Sequence, residues 1–428
     1  MIDFVAPVNP LSLEAQNVLD TWLSGKKNVL LYGPPGTGKT HIMQELWQFL
    51  KQKPAGNILL VDPTQPIETA FSTETKSAFA EPIRCDWVTF HQNFGYEQFI
   101  LALRPVPSAD GKGIELKPRA GVLLDAAISL HTGEFKTAFL FIDEVNRGNV
   151  SRIFGEFITF MDDDYRVHAD GNSLQALPVP LGMVQCQNKE TEPIERMNGN
   201  EANLPIPWYF PHNLYVIASM NSVDRAVAPL DTALARRFAC IELPPDMKLL
   251  AQKLQIENSD SLVRPASQDD QAQSDEDMEV DPDMATSGDV ASPSSSLRNP
   301  DEVGYSLLYR LNYVLAATHG ADFEIGHTYL FSLAAATDEN DKWLALARVW
   351  DQFLYPQIRE RYSNRPEILS SILRVNESKL LPFRKKPDGE LPANIVVRPV
   401  LDMPSLEALF KSGNEEKVKS ILRSLAGL

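Results

Sequence analysis

The 428-residue sequence predicts an α/β fold, a parallel sheet flanked by helices, with a smaller helical domain after it. Three observations predict it. An apolar strand runs directly into the glycine-rich stretch Gly33-Pro34-Pro35-Gly36-Thr37-Gly38-Lys39-Thr40 and then into a helical pattern. Apolar runs alternate with amphipathic ones over the first half of the chain. Beyond an acidic, aromatic-free stretch, helical periodicity dominates.

In chain order, Leu11, Ala15, Val18, Leu19, Trp22 and Leu23 fall at helical spacing, so a short amphipathic helix precedes the first strand, Asn28–Tyr32. A helix is expected from His41 to about Gln52, closed by Pro54 and Gly56. Ile58–Val61, Trp87–Phe90, Ala138–Ile142, Leu214–Ala218 and Ala239–Leu243 read as further strands. Tyr96–Leu103, Arg119–Leu130 and Val150–Met161 read as the helices between them. Asp170–His212 interrupts the rhythm with six prolines among polar residues, and reads as an insertion holding a hairpin between Leu177–Val184 and Leu204–Tyr209. Asn258–Pro300 is expected to be disordered. After it, Val303–Ala317, Trp343–Tyr362, Pro366–Leu373 and Ser405–Leu425 read as helices, the last parted at Gly413.

The expected domains are therefore an N-terminal helix and linker over 1–27, a large α/β domain over 28–257 with the 170–212 insertion, an acidic insert over 258–300, and a smaller helical domain and C-terminal segment over 301–428.

Composition narrows the function. No run approaches the roughly 18 apolar residues of a membrane span, and Met1-Ile2-Asp3-Phe4-Val5 lacks the blocks of a signal peptide. Cys85, Cys186 and Cys240 are widely spaced and odd in number, which argues against a disulfide framework or zinc site and reads as three core thiols in a reducing, cytoplasmic setting. The net charge is −17, about half of it from Asp260–Pro300. The remainder is only mildly acidic, which argues against broad electrostatic binding of nucleic acid.

The glycine-rich stretch carries the chemistry. A strand, Gly-x-x-x-x-Gly-Lys-Thr and a helix form a phosphate-binding loop in its confirming context. Gly33, Pro34, Pro35, Gly36, Thr37 and Gly38 let backbone N–H groups turn inward around phosphates, and the helix N-terminus adds its positive end. Lys39 is expected on the β- and γ-phosphates, and Thr40 on Mg²⁺. About 100 residues later, the apolar run Ala138–Ile142 ends in Asp143-Glu144. Buried strands seldom end in paired carboxylates without a use for them. Asp143 is expected to ligate Mg²⁺ and Glu144 to orient or deprotonate the attacking water. Leu214–Ala218 leads to Asn221, which would sit beside the γ-phosphate and help place that water. Asp231–Phe238 reads as a helix ending in Arg236 and Arg237, either a charge complementing the helix dipole or, in a ring, an arginine finger reaching a neighbour's nucleotide.

In this order and spacing the motifs resemble the AAA+ superfamily, and finer features resemble its McrB group, the motor subunits of methylation-dependent restriction systems. The resemblance rests on Val88-Thr89-Phe90-His91-Gln92 with Tyr96-Glu97-Gln98-Phe99 and Arg104-Pro105. It continues through Ile142-Asp143-Glu144-Val145-Asn146-Arg147, Ser151-Arg152-Ile153-Phe154-Gly155-Glu156 and Met220-Asn221-Ser222-Val223-Asp224-Arg225, and ends with Ile325-Gly326-His327-Thr328-Tyr329. It covers about Asn28 to Arg374. It implies a five-stranded parallel sheet, a helical lid, a hexameric ring with nucleotide between subunits, and a McrC-like nuclease partner. Asp224 and Arg225 enter as functional residues through the signature alone. The substrate is GTP or ATP; the group implies GTP, whereas the loop residues read only phosphates.

The sequence departs from the group's pattern in three places. The loop begins at Gly33, leaving no room for the N-terminal domain that reads modified DNA in the best-known members, so DNA contact is expected to be indirect, through the partner. The acidic stretch falls where a join to the lid is expected, and Ala226 replaces the signature's serine. A MoxR-like chaperone remodelling a protein, or a nucleotide-switched scaffold, would carry the same site; a nuclease-bearing genetic neighbour favours the motor, and the intact Glu144 counts against the scaffold. His91 and His327 read as structural histidines rather than nucleotide contacts, and Asp162-Asp163-Asp164 as a solvated helix end rather than a metal cluster.

Overall fold

The computed structural model describes residues 11–51, 82–108, 112–167, 176–179, 191–205, 207–223, 232–257, 259–262, 298–374 and 403–428. The expected strand Ile58–Val61, Cys186, Asp224, Arg225, Asp231 and most of the acidic stretch lie outside them. Two compact units emerge, Met1–Leu243 and Pro244–Leu428. From the sequence the large domain is expected to run to residue 257; the chain divides at Leu243.

The first unit is built on a sheet of five parallel strands, in the order β2-β5-β8-β1-β9. They are β1 (Asn28–Gly33), β2 (Ile83–Thr89), β5 (Thr137–Asp143), β8 (Leu214–Asn221) and β9 (Ala239–Glu242). Strands buried on both faces read as continuous apolar runs, and alternate side chains then go to opposite layers. Val29, Leu31, Phe139, Phe141 and Ile217 pack with helices α1 (Leu13–Leu23) and α2 (Lys39–Lys51). Leu30, Leu140, Ile142, Val216 and Ala218 pack on the other side with helices α4 (Val122–His131) and α5 (Val150–Phe154). The expected helix Val150–Met161 is α-helical only to Phe154 and continues as a 3-10 segment, Gly155–Met161.

A second sheet was not legible in the sequence. Strands β3 (Leu101–Pro107), β4 (Ile114–Ala120), β6 (Thr191–Glu195) and β7 (Glu201–Pro205) pair in the order β3-β4-β6-β7. The expected helix Tyr96–Leu103 is therefore one turn, α3 (Tyr96–Phe99), before the chain enters β3. Close approach of Gly121 explains the switch. Its N–H donates to the carbonyl of Ile100 at 2.7 Å, and a Cβ there would lie 2.4 Å from the carbonyl carbon of Phe99. That crossing sets Leu101 opposite Ala120, and cross-strand pairing overrides the local helical pattern. The hairpin of the 170–212 segment is β6–β7; of the pairing expected there, the described residues hold the bridge between Pro178 and Tyr209.

Cys240, expected in the core, is exposed, because β9 is an edge strand; Cys85 is half-buried. Among the described residues no helix is long and apolar enough to cross a membrane.

The second unit is helical around Leu307, Leu308, Trp343, Trp350 and Ile358. Its long helix, Pro300–His319, starts where the acidic stretch ends. Asn299 caps it, accepting from the N–H of Glu302 while Glu302 accepts from that of Asn299, and Pro300 occupies the first turn, where its missing N–H costs nothing. The segment Glu339–Arg361 is helical with a π turn at Trp350–Leu354. The final helices, Leu406–Lys411 and Glu415–Ala426, part at Gly413.

Candidate active site

Three neighbouring strands end together. In β1 and β8, Gly33 lies opposite Asn221, and β5 ends beside them at Asp143. Everything polar in the site hangs from these ends and from the start of α2. Gly33 has a φ of 149°, and a Cβ on it would lie 2.4 Å from the Leu243 carbonyl oxygen, so only glycine lets the loop leave the strand here.

Lys39, the first residue of α2, is buried. Its ammonium donates to the carbonyls of Gly33 (2.9 Å) and Pro34 (2.7 Å) and to the Thr37 hydroxyl (3.3 Å). Burial lowers its pKa to about 8, with Glu144 and Asp143 opposing the shift. The ammonium is thus held back along the loop, within electrostatic reach of both acids.

The Thr40 hydroxyl donates to Asp143 at 3.3 Å. Ser219 on β8 also donates to Asp143, and its oxygen accepts the backbone N–H of Glu144 at 3.0 Å. Glu144 sits in the left-handed backbone region at φ 55°, a conformation costing a non-glycine residue about 1 kcal/mol. Its carboxylate accepts from the Asn221 amide at 3.2 and 3.3 Å and from Arg147 at 3.2 Å. Asn146, buried, donates to the Asn221 carbonyl at 3.1 Å. The turn after β5 is thereby stitched to the end of β8.

Lys39, Thr40, Asp143, Glu144 and Asn221, each singled out from the sequence, thus lie together. Ser219, Asn146 and Arg147 were missed as site residues. Thr40 and Asp143 bring two side-chain oxygens together, and Mg²⁺ bound with a nucleotide takes one or two protein oxygens beside phosphates and water. The residues fit the ion.

The arginines lie elsewhere. Val29 pairs with Ala239, so Arg236 and Arg237 fall beside Asn28, at the far end of β1 from Gly33. Arg237 turns inward, its Nε on Asp162 at 2.8 Å and its side chain 8% exposed, whereas Arg236 is exposed. Asp162 is therefore an ion-pair partner as well as an element end. His91 is exposed, accepts from the N–H of Asn93 and packs edge-on to Phe94, which makes it a turn residue. His327, in the second unit, is buried and accepts from the N–H of Asp246 at 2.9 Å; burial lowers its pKa.

A strand, phosphate loop, acid-tipped strand and asparagine-tipped strand in this order define the architecture, and residues 28–238 match the family model of the AAA domain (dynein-related subfamily). Residues 28–238 form an AAA domain. The chain is 31% identical over 223 residues to the Type IV methyl-directed restriction enzyme EcoKMcrB subunit of Escherichia coli (strain K12), covering 52% of this chain and 36% of the relative. It is 24% identical over 234 residues to the Type II restriction enzyme BsuMI component YdiS of Bacillus subtilis (strain 168), covering 50% of this chain and 56% of that protein. The chain spans between a third and somewhat over half of these relatives' own length. Among solved structures, C. elegans PCH-2 aligns over 80% of this chain and 70% of that one at 13% identity, with a TM-score of 0.28, too low to carry an argument.

Proposed function

We propose that the AAA domain hydrolyses a nucleoside triphosphate, GTP or ATP, with Mg²⁺, in a ring that works with a McrC-like nuclease-bearing partner in cytoplasmic DNA restriction. The observation that carries hydrolysis is the Glu144 carboxylate, held by the Asn221 amide one residue from Asp143 and within electrostatic reach of Lys39. A binding loop needs no such carboxylate; a hydrolase does.

In this reading Lys39 exchanges its loop carbonyls for the β- and γ-phosphates. Thr40 and Asp143 hold Mg²⁺, which neutralises phosphate charge when bound. The Ser219 hydroxyl, donating to Asp143, holds its carboxylate in place. Glu144 accepts the proton of the attacking water, and Asn221 orients both. Asp224 and Arg225 belong to the proposal through the signature alone.

The ring reading draws on the position of the arginines. Strand β1 separates Asn28 from Gly33 by five residue steps, about 16 Å at the usual strand rise. Arginines beside Asn28 serve a neighbour's nucleotide more readily than their own. The restriction reading draws on the relatives, both of which are named as components of restriction enzymes.

Phosphate release with GTP and with ATP, with Mg²⁺ or with excess EDTA, tests the activity. Turnover is expected only with Mg²⁺. Lys39→Ala is expected to weaken nucleotide binding by about 2–5 kcal/mol, at least ~30-fold in Kd. Equal turnover in EDTA, or unchanged binding by Lys39→Ala, would contradict the proposal.

A further inference from the structure

Beneath the arginine pair lies a polar network in an otherwise apolar part of the first unit. Arg166 is 0% exposed. Its guanidinium donates to the carbonyls of Phe160 (2.6 Å) and Leu214 (2.7 Å) and to the Asn28 side-chain oxygen (3.2 Å), and stands over the ring of Phe210. The Asn28 amide spends its donors on the carbonyls of Met161 (2.6 Å) and Arg237 (3.0 Å). Arg237 in turn holds Asp162.

These bonds are directional, and together they tie β1, β8, the 3-10 segment Gly155–Met161 and the backbone of Arg237 to one another. Arg166 fixes the starts of β1 and β8 against the segment that follows α5, and Asn28 passes that reference to the backbone of Arg237. Phe238 beside it is buried. With the Arg237 backbone anchored and its side chain drawn in to Asp162, the turn leaves Arg236 facing outward.

We propose that Arg166, Asn28 and Asp162 are positioning residues that lock Arg237 and so present Arg236 to the nucleotide held by a second copy of this chain. The inference rests on the ring reading above. It divides the pair: Arg237 is the anchor and Arg236 the group that reaches the phosphates. A misplacement of about 1 Å at such a group can cost ~10² in rate.

Mixed assemblies separate this role from one within the same subunit. A donor chain carries Glu144→Gln, silencing its own site; an acceptor carries Arg236→Ala and keeps an intact site. Alone, each is expected to lose phosphate release, by about 10²-fold or more for the donor and about 10³-fold or more for the acceptor. Mixed, acceptor sites facing donor arginines regain turnover. Adding Asp162→Asn or Asn28→Ala to the donor is expected to cut that recovery at least ~10-fold, with the donor's nucleotide affinity unchanged. Adding Asp162→Asn to the acceptor is expected to leave it intact.

Recovery unaffected by Asp162→Asn in the donor, or lost when it sits in the acceptor, overturns the proposal, as does full activity of Arg236→Ala alone. Should Asn28→Ala fail to fold, Asp162→Asn, at a partly exposed position, decides alone. Absence of recovery before any network change is made overturns the shared site itself, and the proposal with it.

Discussion

Lys39 illustrates how a single buried charge ties folding and binding to pH. Its folded-state pKa of about 8 lies below the ordinary value of 10.5, because burial outweighs the pull of Glu144 and Asp143. Between those values the unfolded chain binds the extra proton, so this residue's contribution to stability rises with pH through the window. Binding runs the other way, because phosphates favour the ammonium. Nucleotide affinity is expected to be level up to about pH 8 and then to fall, at most tenfold per pH unit, with proton uptake on binding. Titrations between pH 7 and 9.5 check it, and Lys39→Met is expected to remove the slope; an unchanged slope in that variant would assign the proton elsewhere. At this scale the clustering of the candidate residues was largely legible, because Asp143, Glu144 and Asn221 each follow an apolar run that ends abruptly in polar residues. Ser219 was not. Between Ala218 and Met220 it looks like small core filler until the register of β8 against β5 brings it to Asp143.

At the scale of elements, the second sheet is joined to the first unit's core by charge. Asp125 on α4 accepts from Arg196, after β6, at 2.9 Å and from Arg84 on β2 at 2.7 Å, all but out of solvent. Arg196 also holds Glu134. Burial alone would raise the Asp125 pKa, but the Arg196 hydrogen bond and the Arg84 charge outweigh it and hold the carboxyl below its usual 3.8. Removing one partner of a buried pair strands the other, so Arg196→Ala is expected to cost about 3 kcal/mol, the low end of the usual range because Arg84 stays. Thermal melting would show a Tm lower by roughly 6–10 °C at neutral pH. A carboxylate with a depressed pKa stabilises above its unfolded value and loses that contribution as pH falls through the folded one. The gap between wild type and variant should therefore shrink below about pH 4; a gap constant down to pH 2 would rule out Asp125 as its source. The parallel strands were legible because burial on both faces makes them continuous apolar runs. Strands β3 and β4 were not: they pair with each other as neighbours in the chain, but Pro105, Pro107 and Pro118 break the apolar pattern, and the further partner of β4, at Glu195, lies far along the sequence.

For the whole molecule, the arginine pair lies at the end of β1 away from the phosphate loop, and under the proposed ring a single chain would lack the arginine that its own site uses. Specific activity is expected to rise steeply with protein concentration and to plateau as assembly completes, with sedimentation following the same midpoint. Constant specific activity across dilution would return the site to a single chain. The two units were legible as a change of rhythm, from alternating strands and helices to helices alone. Their division at Leu243 was not, because the helix Met247–Lys253 continues the earlier pattern while its Leu250 packs in the second core. Whether Glu144 turns a phosphate-holding loop into a hydrolase is decided by comparing phosphate release from wild type and Glu144→Gln at saturating nucleotide, with occupancy measured in parallel. Equal occupancy and turnover lower by about 10²–10⁴ are expected; equal occupancy with undiminished turnover would leave Glu144 without a part in hydrolysis.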